Sequence, residues 1–189
     1  MGFFIQTTAP ENAGEQLQNV YDTLSSMFQT VPKVFEAQGI RPDLLGPHVD
    51  YVNRLMIETH ALPRSTKELV AAYVSKLNAC AYCVDAHSAM AMAQGFTKNE
   101  VKTILEDIDG TNLIDDKTKK LLRLAETITL HSYKIHEGRI QELRDEGLTE
   151  EELFEAIAVA ALFNFMDRMA DALGAPVEGF QDMMAAAAV

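Results

Sequence analysis

Cysteine is almost absent from this chain, with two residues in 189. That scarcity excludes the dense disulfide framework that staples small secreted domains. Positive charge is sparse as well: 16 Lys and Arg stand against 28 Asp and Glu, for a formal net charge of −12. Such a balance cannot neutralise a row of phosphates, which argues against nucleic acid as a partner. It also disfavours an anionic membrane surface. No run reaches the roughly 18 uncharged apolar residues of a membrane span. The start, MGFFIQTTAPENAGEQ, has no basic region before its brief apolar run and does not read as a signal peptide. Gln6 sits where a myristoylation site needs Ser or Thr. A soluble, cytoplasmic protein is expected.

What is present is ordinary for a globular chain: 48% hydrophobic and 23% charged residues. The length suits a single domain, 1–189, with a real core. Helical periodicity dominates and no convincing alternating strand occurs, so the fold class is all-α. The pattern predicts helices over 11–29, 42–60, 65–78, 80–94, 98–106, 115–132, 136–146 and 150–173, a short one at 33–38 and another at the C-terminus. Pro32, Gly39, Pro42, Pro63, Gly95, Gly110, Gly147, Gly174 and Pro176 punctuate them. Three capping boxes are expected, Ser65 with Glu68, Thr97 with Glu100 and Thr149 with Glu152. GFTKNEVKTIL (95–105) is echoed weakly by GLTEEELFEAI (147–157), as two related helical units or as shared capping chemistry would produce.

In helix 150–173 the segment AIAVAALF is apolar all round, the mark of burial on every side. Asn164, Asp167, Arg168 and Asp171 follow at spacings of three and four. They read either as an ion-paired exit from the core, with Arg168 bonding Asn164 and Asp171, or as a subunit interface or pocket wall. The last residues, MMAAAAV, either cover a neighbouring subunit or fray.

The two cysteines, Cys80 and Cys83, are spaced C-x-x-C, with His87 four residues further on. On a helix, at about 100° per residue, these three share a narrow arc with Val84 and Ala91, whereas Tyr82, Asp85 and Ala89 point elsewhere. Cys83 and His87 are one turn apart, so the imidazole can reach the sulfur. If the helix begins near Cys80, both thiols lie in its first turn, where the dipole lowers a thiol's pKa. A nucleophile, a resolving thiol and a base are the minimum equipment of a dithiol redox enzyme. Glu68 would lie on the order of 18 Å from Cys80 in an unbroken helix. A hairpin bend around Asn78 instead brings Glu68 level with His87, in competition with its capping role.

ELVAAYVSKLNACAYCVDAHSAMAMAQG resembles the core motif of the alkylhydroperoxidase AhpD-like proteins of the carboxymuconolactone decarboxylase superfamily: a Glu, eleven residues, then C-x-x-C-x-x-x-H. VPKVFEAQGIRPDLL and GLTEEELFEAIAVAALFNFMDRMADALG resemble the flanks of its peroxidase-related branch. The resemblance implies an all-helical fold in which a helical hairpin carries the motif, assembled as a homotrimer or homohexamer, with no cofactor and no metal. It also implies a thiol peroxidase. Cys83 attacks an organic hydroperoxide or hydrogen peroxide, Cys80 closes the disulfide, and Glu68 and His87 relay protons. A lipoyl or thioredoxin-like dithiol then attacks Cys80. Two positions depart from the pattern: Tyr82 stands where the family's peroxidases carry a His between the cysteines, and Asp167 stands where Asn is expected.

Other readings remain. Cys80, Cys83 and His87 offer three zinc ligands, with a fourth from His48, His60 or Glu68, but one helix face alone cannot surround a tetrahedral ion. Haem attachment is excluded by Val84 after the second cysteine. A decarboxylase or lactone-type enzyme of the same superfamily would not need the cysteine pair, and a stress protein could use the dithiol only to sense oxidants or dock a partner. His48 and His60 read first as structural residues and second as pocket lining. His131 and His136 flank a helix end, where a cation suits the dipole. Met56, Met90 and Met92 read as core fillers or as an apolar entrance for a hydroperoxide.

Overall fold

Local sequence sets most helix boundaries, and the computed structural model, which describes residues 2–58 and 61–187, shows where packing overrides it. Among these residues there are ten α-helices and no strand: α1 (Glu15–Phe28), α2 (Lys33–Glu36), α3 (Pro42–Val52), α4 (Arg64–Leu77), α5 (Ala81–Ala93), α6 (Lys98–Glu106), α7 (Asp116–His131), α8 (Glu137–Asp145), α9 (Glu150–Leu173) and α10 (Phe180–Ala187). No helix of the described residues is long and apolar enough to cross a membrane. Thr97 and Thr149 form complete capping boxes with Glu100 and Glu152 at the starts of α6 and α9. Gly174 ends α9 in the left-handed conformation, with φ 72°, against the ring of Phe4.

Several boundaries shift for physical reasons. Gly14 caps α1, so the first predicted helix starts late, behind a single 3-10 turn at Pro10–Asn12. The helix predicted over 42–60 widens after Val52 into a π-type turn, Asn53–Ile57, and the chain is extended at Glu58. His60 lies outside the described residues. The Ser65–Glu68 capping box does not form, because Pro63 occupies the N-cap of α4 and the Glu68 carboxylate is turned into the protein.

Helix α4 is the centre of the molecule and packs on α5, α7 and α9. Leu69, Val70, Ala71, Ala72 and Val74 are all buried, and the two alanines let neighbouring helices come close. Lys67 is buried too. Its ammonium donates to the carbonyl of Leu55 at 2.8 Å, which closes the end of the π-type turn. Glu155 of α9 lies 3.9 Å from it and accepts hydrogen bonds from the amides of Ala61 and Leu62. Burial holds the Lys67 pKa below the usual range, with Glu155 opposing that shift. Together these contacts pin the approach to α4 that positions Arg64.

The turn between α4 and α5 takes three residues. Asn78 stays right-handed, and Ala79 takes φ 58°, a conformation that costs a non-glycine residue about 1 kcal/mol. The bend is one residue later than the sequence suggested, because the Asn78 amide is engaged by Asp167 at 2.7 Å and Asn164 at 3.2 Å. Helix α9 is also not enclosed on every side. Phe154, Ile157 and Phe165 form an exposed stripe, and Arg168 lies back along the surface to Asn164 Oδ1 at 3.0 Å. Asp167 points the other way and is fully buried.

Candidate active site

The α4–α5 hairpin does what its arithmetic requires. The Nδ1–H of His87 donates to Glu68 Oε2 at 2.7 Å, and Arg64 Nε donates to Glu68 Oε1 at 3.2 Å. Both carboxylate oxygens are therefore engaged. With Nδ1 holding the proton, Nε2 is the basic nitrogen of the neutral ring. Phe163 meets the imidazole edge-on, 4.2 Å between centroids, and fixes its plane.

Cys80 is the N-cap of α5, so Cys83 falls in its first turn, as expected. Both thiols are free and buried. Sγ of Cys80, Sγ of Cys83 and a carboxylate oxygen of Asp167 lie within 4.8 Å of one another. Asp167 accepts from Ser75 Oγ and Asn78 Nδ2, both at 2.7 Å. Each oxygen keeps a further lone pair, and Asp167 rather than His87 stands beside the two sulfurs, because His87, the third ligand of the zinc reading, is turned to Glu68.

The expected lowering of the thiol pKa is reversed. The Cys80 sulfur, burial and Asp167 push the Cys83 thiol far above the usual thiol range. A helix N-terminus supplies about half a unit charge; here it is outweighed by loss of water and by two neighbours that repel a thiolate. Alkylation of Cys83 by iodoacetamide should therefore be slower at pH 7 than in the urea-unfolded chain and should accelerate with rising pH. Peptide mapping by mass spectrometry of the wild type, which keeps the Cys80 sulfur in place, reads the rate at Cys83. Equal rates in both states would show a normal thiol.

A cavity of about 240 Å³ opens beside Cys83, His87 and Glu68. Its walls are mostly apolar, built from aliphatic side chains and methionines together with Phe28, Phe35, Phe163 and Phe180. Met56 and Met90 line it, as the entrance reading suggested, whereas Met92 packs against the core. Cys83 lines the cavity and Cys80 does not, being wholly enclosed behind it. Of the remaining histidines, His48 lies between Phe35 and Phe165 with Nδ1 donating to Gln38 Oε1 at 3.2 Å, away from the cavity. His136 is the N-cap of α8, where its Nδ1 accepts from the amide of Arg139 at 3.3 Å, so it stands at a helix start rather than at the helix end expected.

The C-terminal segment forms one wall, which sequence reasoning missed. Helix α10 docks on α5 of its own chain, where the amides of Phe180 and Gln181 donate to Asp85 at 2.8 and 3.1 Å. The Tyr82 hydroxyl donates to Glu178 Oε2 at 2.8 Å and accepts from the Val34 amide at 3.3 Å. Burial and Glu178 raise the Tyr82 pKa further, so this phenol holds structure together and cannot shuttle protons at neutral pH. Phe180 and Met184 thereby reach the cavity.

The sequence model of the carboxymuconolactone decarboxylase family matches residues 42–113 and again 106–178. In the structure the helix starts at Arg64 and Lys98 recur in order at Asp116 and Glu150, in keeping with the weak internal echo. The uncharacterized protein YdfG of Bacillus subtilis (strain 168) is 27% identical over 114 residues, covering 60% of this chain and 77% of that one. A solved alkylhydroperoxidase AhpD core, an uncharacterized peroxidase-related protein from Ralstonia eutropha JMP134, has a TM-score of 0.86 at 22% identity, covering 97% of this chain and 96% of its own. The debrominase Bmp8, solved as a cysteine-to-alanine variant with 2,3,4-tribromopyrrole, has a TM-score of 0.81 at 19% identity, with 97% and 96% covered. The fold is AhpD-like, and the chain belongs to the carboxymuconolactone decarboxylase family.

Proposed function

We propose that this chain is a dithiol peroxidase with an antioxidant role. The observation that carries the reading is a cysteine of a buried pair lining an apolar cavity beside a His87–Glu68 hydrogen bond. Nε2 of His87 takes the Cys83 proton as the sulfur attacks the terminal peroxide oxygen. The O–O bond breaks, the alkoxide leaves with that proton as an alcohol, and Cys83 becomes a sulfenic acid. Cys80 then displaces water to form the disulfide. An external dithiol, lipoyl or thioredoxin-like, restores the pair and is itself oxidised to a disulfide. We draw its attack at Cys83 rather than at Cys80, because Cys83 is the sulfur that lines the cavity. The apolar walls suit an organic hydroperoxide over hydrogen peroxide.

The exposed Phe154, Ile157 and Phe165 stripe on α9 suits burial against further copies of the chain, a homotrimer or homohexamer. A second reading uses the same thiols to remove halogen from an aromatic ring, as the debrominase neighbour's name and the four phenylalanines of the cavity lining suggest. Sub-stoichiometric cumene hydroperoxide followed by intact-mass analysis tests the first reading. The expected product is wild type lighter by two hydrogens, with one equivalent of cumyl alcohol and repeated turnover when a dithiol is added. Bromide release from a bromopyrrole without peroxide turnover favours the second. Disulfide formation without turnover leaves an oxidant sensor, and an unchanged mass excludes dithiol chemistry.

A further inference from the structure

In the proposed cycle His87 takes the proton of Cys83, and nothing on the cavity side is assigned to that of Cys80. Cys80 is wholly enclosed and stands off the cavity, so neither solvent nor the Glu68–His87 pair reaches its sulfur from that side. For a disulfide to close, that proton must go somewhere within the core. Asp167 is the titratable group placed there. A carboxylate oxygen lies within 4.8 Å of both sulfurs, and its residue is fully buried. From α4 and its C-cap, Ser75 and Asn78 donate to its two oxygens, which favours the charged, accepting form against burial. Across from these it faces Cys80, the N-cap of α5, and Cys83, with which it also shares a hydrogen bond, and more distantly His87.

We propose that Asp167 is the proton acceptor of the resolving cysteine, so that the dithiol is served by two bases on opposite sides. The assignment rests on the dithiol peroxidase reading and deepens it. As Cys80 attacks the Cys83 sulfenic acid, the S–S bond forms and the S–O bond breaks. The Cys80 proton passes to Asp167, and hydroxide leaves into the cavity, where it takes a proton from solvent and departs as water, since His87 has already given its own to the alcohol. The carboxylic acid then stores that proton next to the disulfide. When an external thiolate attacks Cys83, the departing Cys80 thiolate takes it back. Burial raises the pKa of Asp167 above the ordinary carboxylate value, with Asn78, Ser75 and Cys83 opposing, which makes it a stronger base than an exposed carboxylate.

Asp167→Asn tests this with little disturbance of shape, since the amide oxygen still accepts from Asn78 and the amide N–H can donate to Ser75. After peroxide, dimedone-trapped sulfenic acid at Cys83 should form at the wild-type rate and persist. Disulfide closure should slow by about 10²–10⁴-fold, the range for a lost general base. Closure in the variant should also rise about tenfold per pH unit, because Cys80 must now ionise unaided. Closure at the wild-type rate overturns the assignment. So does an equal slowing of sulfenic acid formation and closure with no change in pH profile, which would mark Asp167 as structural.

If the variant does not fold, wild type gives the same information. Its closure rate must fall on an acid limb that appears above about pH 4, because the carboxyl titrates above its ordinary value. A rate flat to that point sinks the proposal. Wild type that forms neither sulfenic acid nor disulfide fails at the earlier stage, and there the dithiol reading itself falls.

Discussion

Cys83→Ser abolishes peroxide turnover while the chain still folds. The substitution replaces a sulfur by a smaller oxygen of similar geometry, so the packing around the first turn of α5 is largely kept. Serine cannot form the sulfenic acid on which the cycle depends. The expected loss is roughly 10⁴-fold or more, the scale for removal of a catalytic nucleophile. Peroxide consumption with excess dithiol reads the loss, and circular dichroism checks the fold. Cys80→Ser should differ in kind: it consumes one equivalent of peroxide and stops at sulfenic acid on Cys83. A Cys83→Ser protein that keeps a tenth of wild-type turnover would place the chemistry elsewhere.

His87→Gln has the second largest expected effect, about 10²–10⁴-fold on peroxide turnover. The magnitude follows from the state of Cys83. Its thiol is held protonated by Cys80, burial and Asp167, so a nucleophile exists only when a base takes the proton during attack. Gln fills the space beside Phe163 but cannot accept that proton. Glu68→Gln should cost less, on the order of tenfold to hundredfold, because Glu68 acts by orienting the imidazole rather than by touching the peroxide. The two effects should not add when combined, since one acts through the other. Turnover in His87→Gln equal to wild type, across pH 6 to 9 or thereabouts, would remove the imidazole from the mechanism.

How much of this was legible depended on whether the deciding interaction was local. The Glu68–His87 contact could be read from the sequence because it follows from hairpin arithmetic: a break between two helices, with the partners at nearly equal distance from it. The Ser65–Glu68 capping box had the right spacing and still failed. A carboxylate offered both a surface amide and a half-buried imidazole took the imidazole, and Pro63 left Ser65 inside the helix. Asp167 was hidden for the opposite reason. Its spacing from Asn164, Arg168 and Asp171 is that of a solvated helix face, and only the packing of α9 on the α4–α5 turn sends this one carboxylate inward. The direction of the Cys83 pKa needed the same information, since a helix start can be seen in a sequence and the exclusion of water cannot. The wall made by Phe180 and Met184 depends on Asp85 and Tyr82, more than ninety residues earlier in the chain.

Tyr82 lies between the two thiols in the sequence and links Val34 to Glu178, a carboxylate that the Lys33 amide also reaches at 3.0 Å. Placing an imidazole at this position to imitate the histidine-bearing relatives is therefore not a purely chemical edit. The shorter ring forfeits the reach to Glu178, slackens the terminal helix and enlarges the chamber. Whatever such a change adds in proton mobility, it exchanges for selectivity over what is admitted.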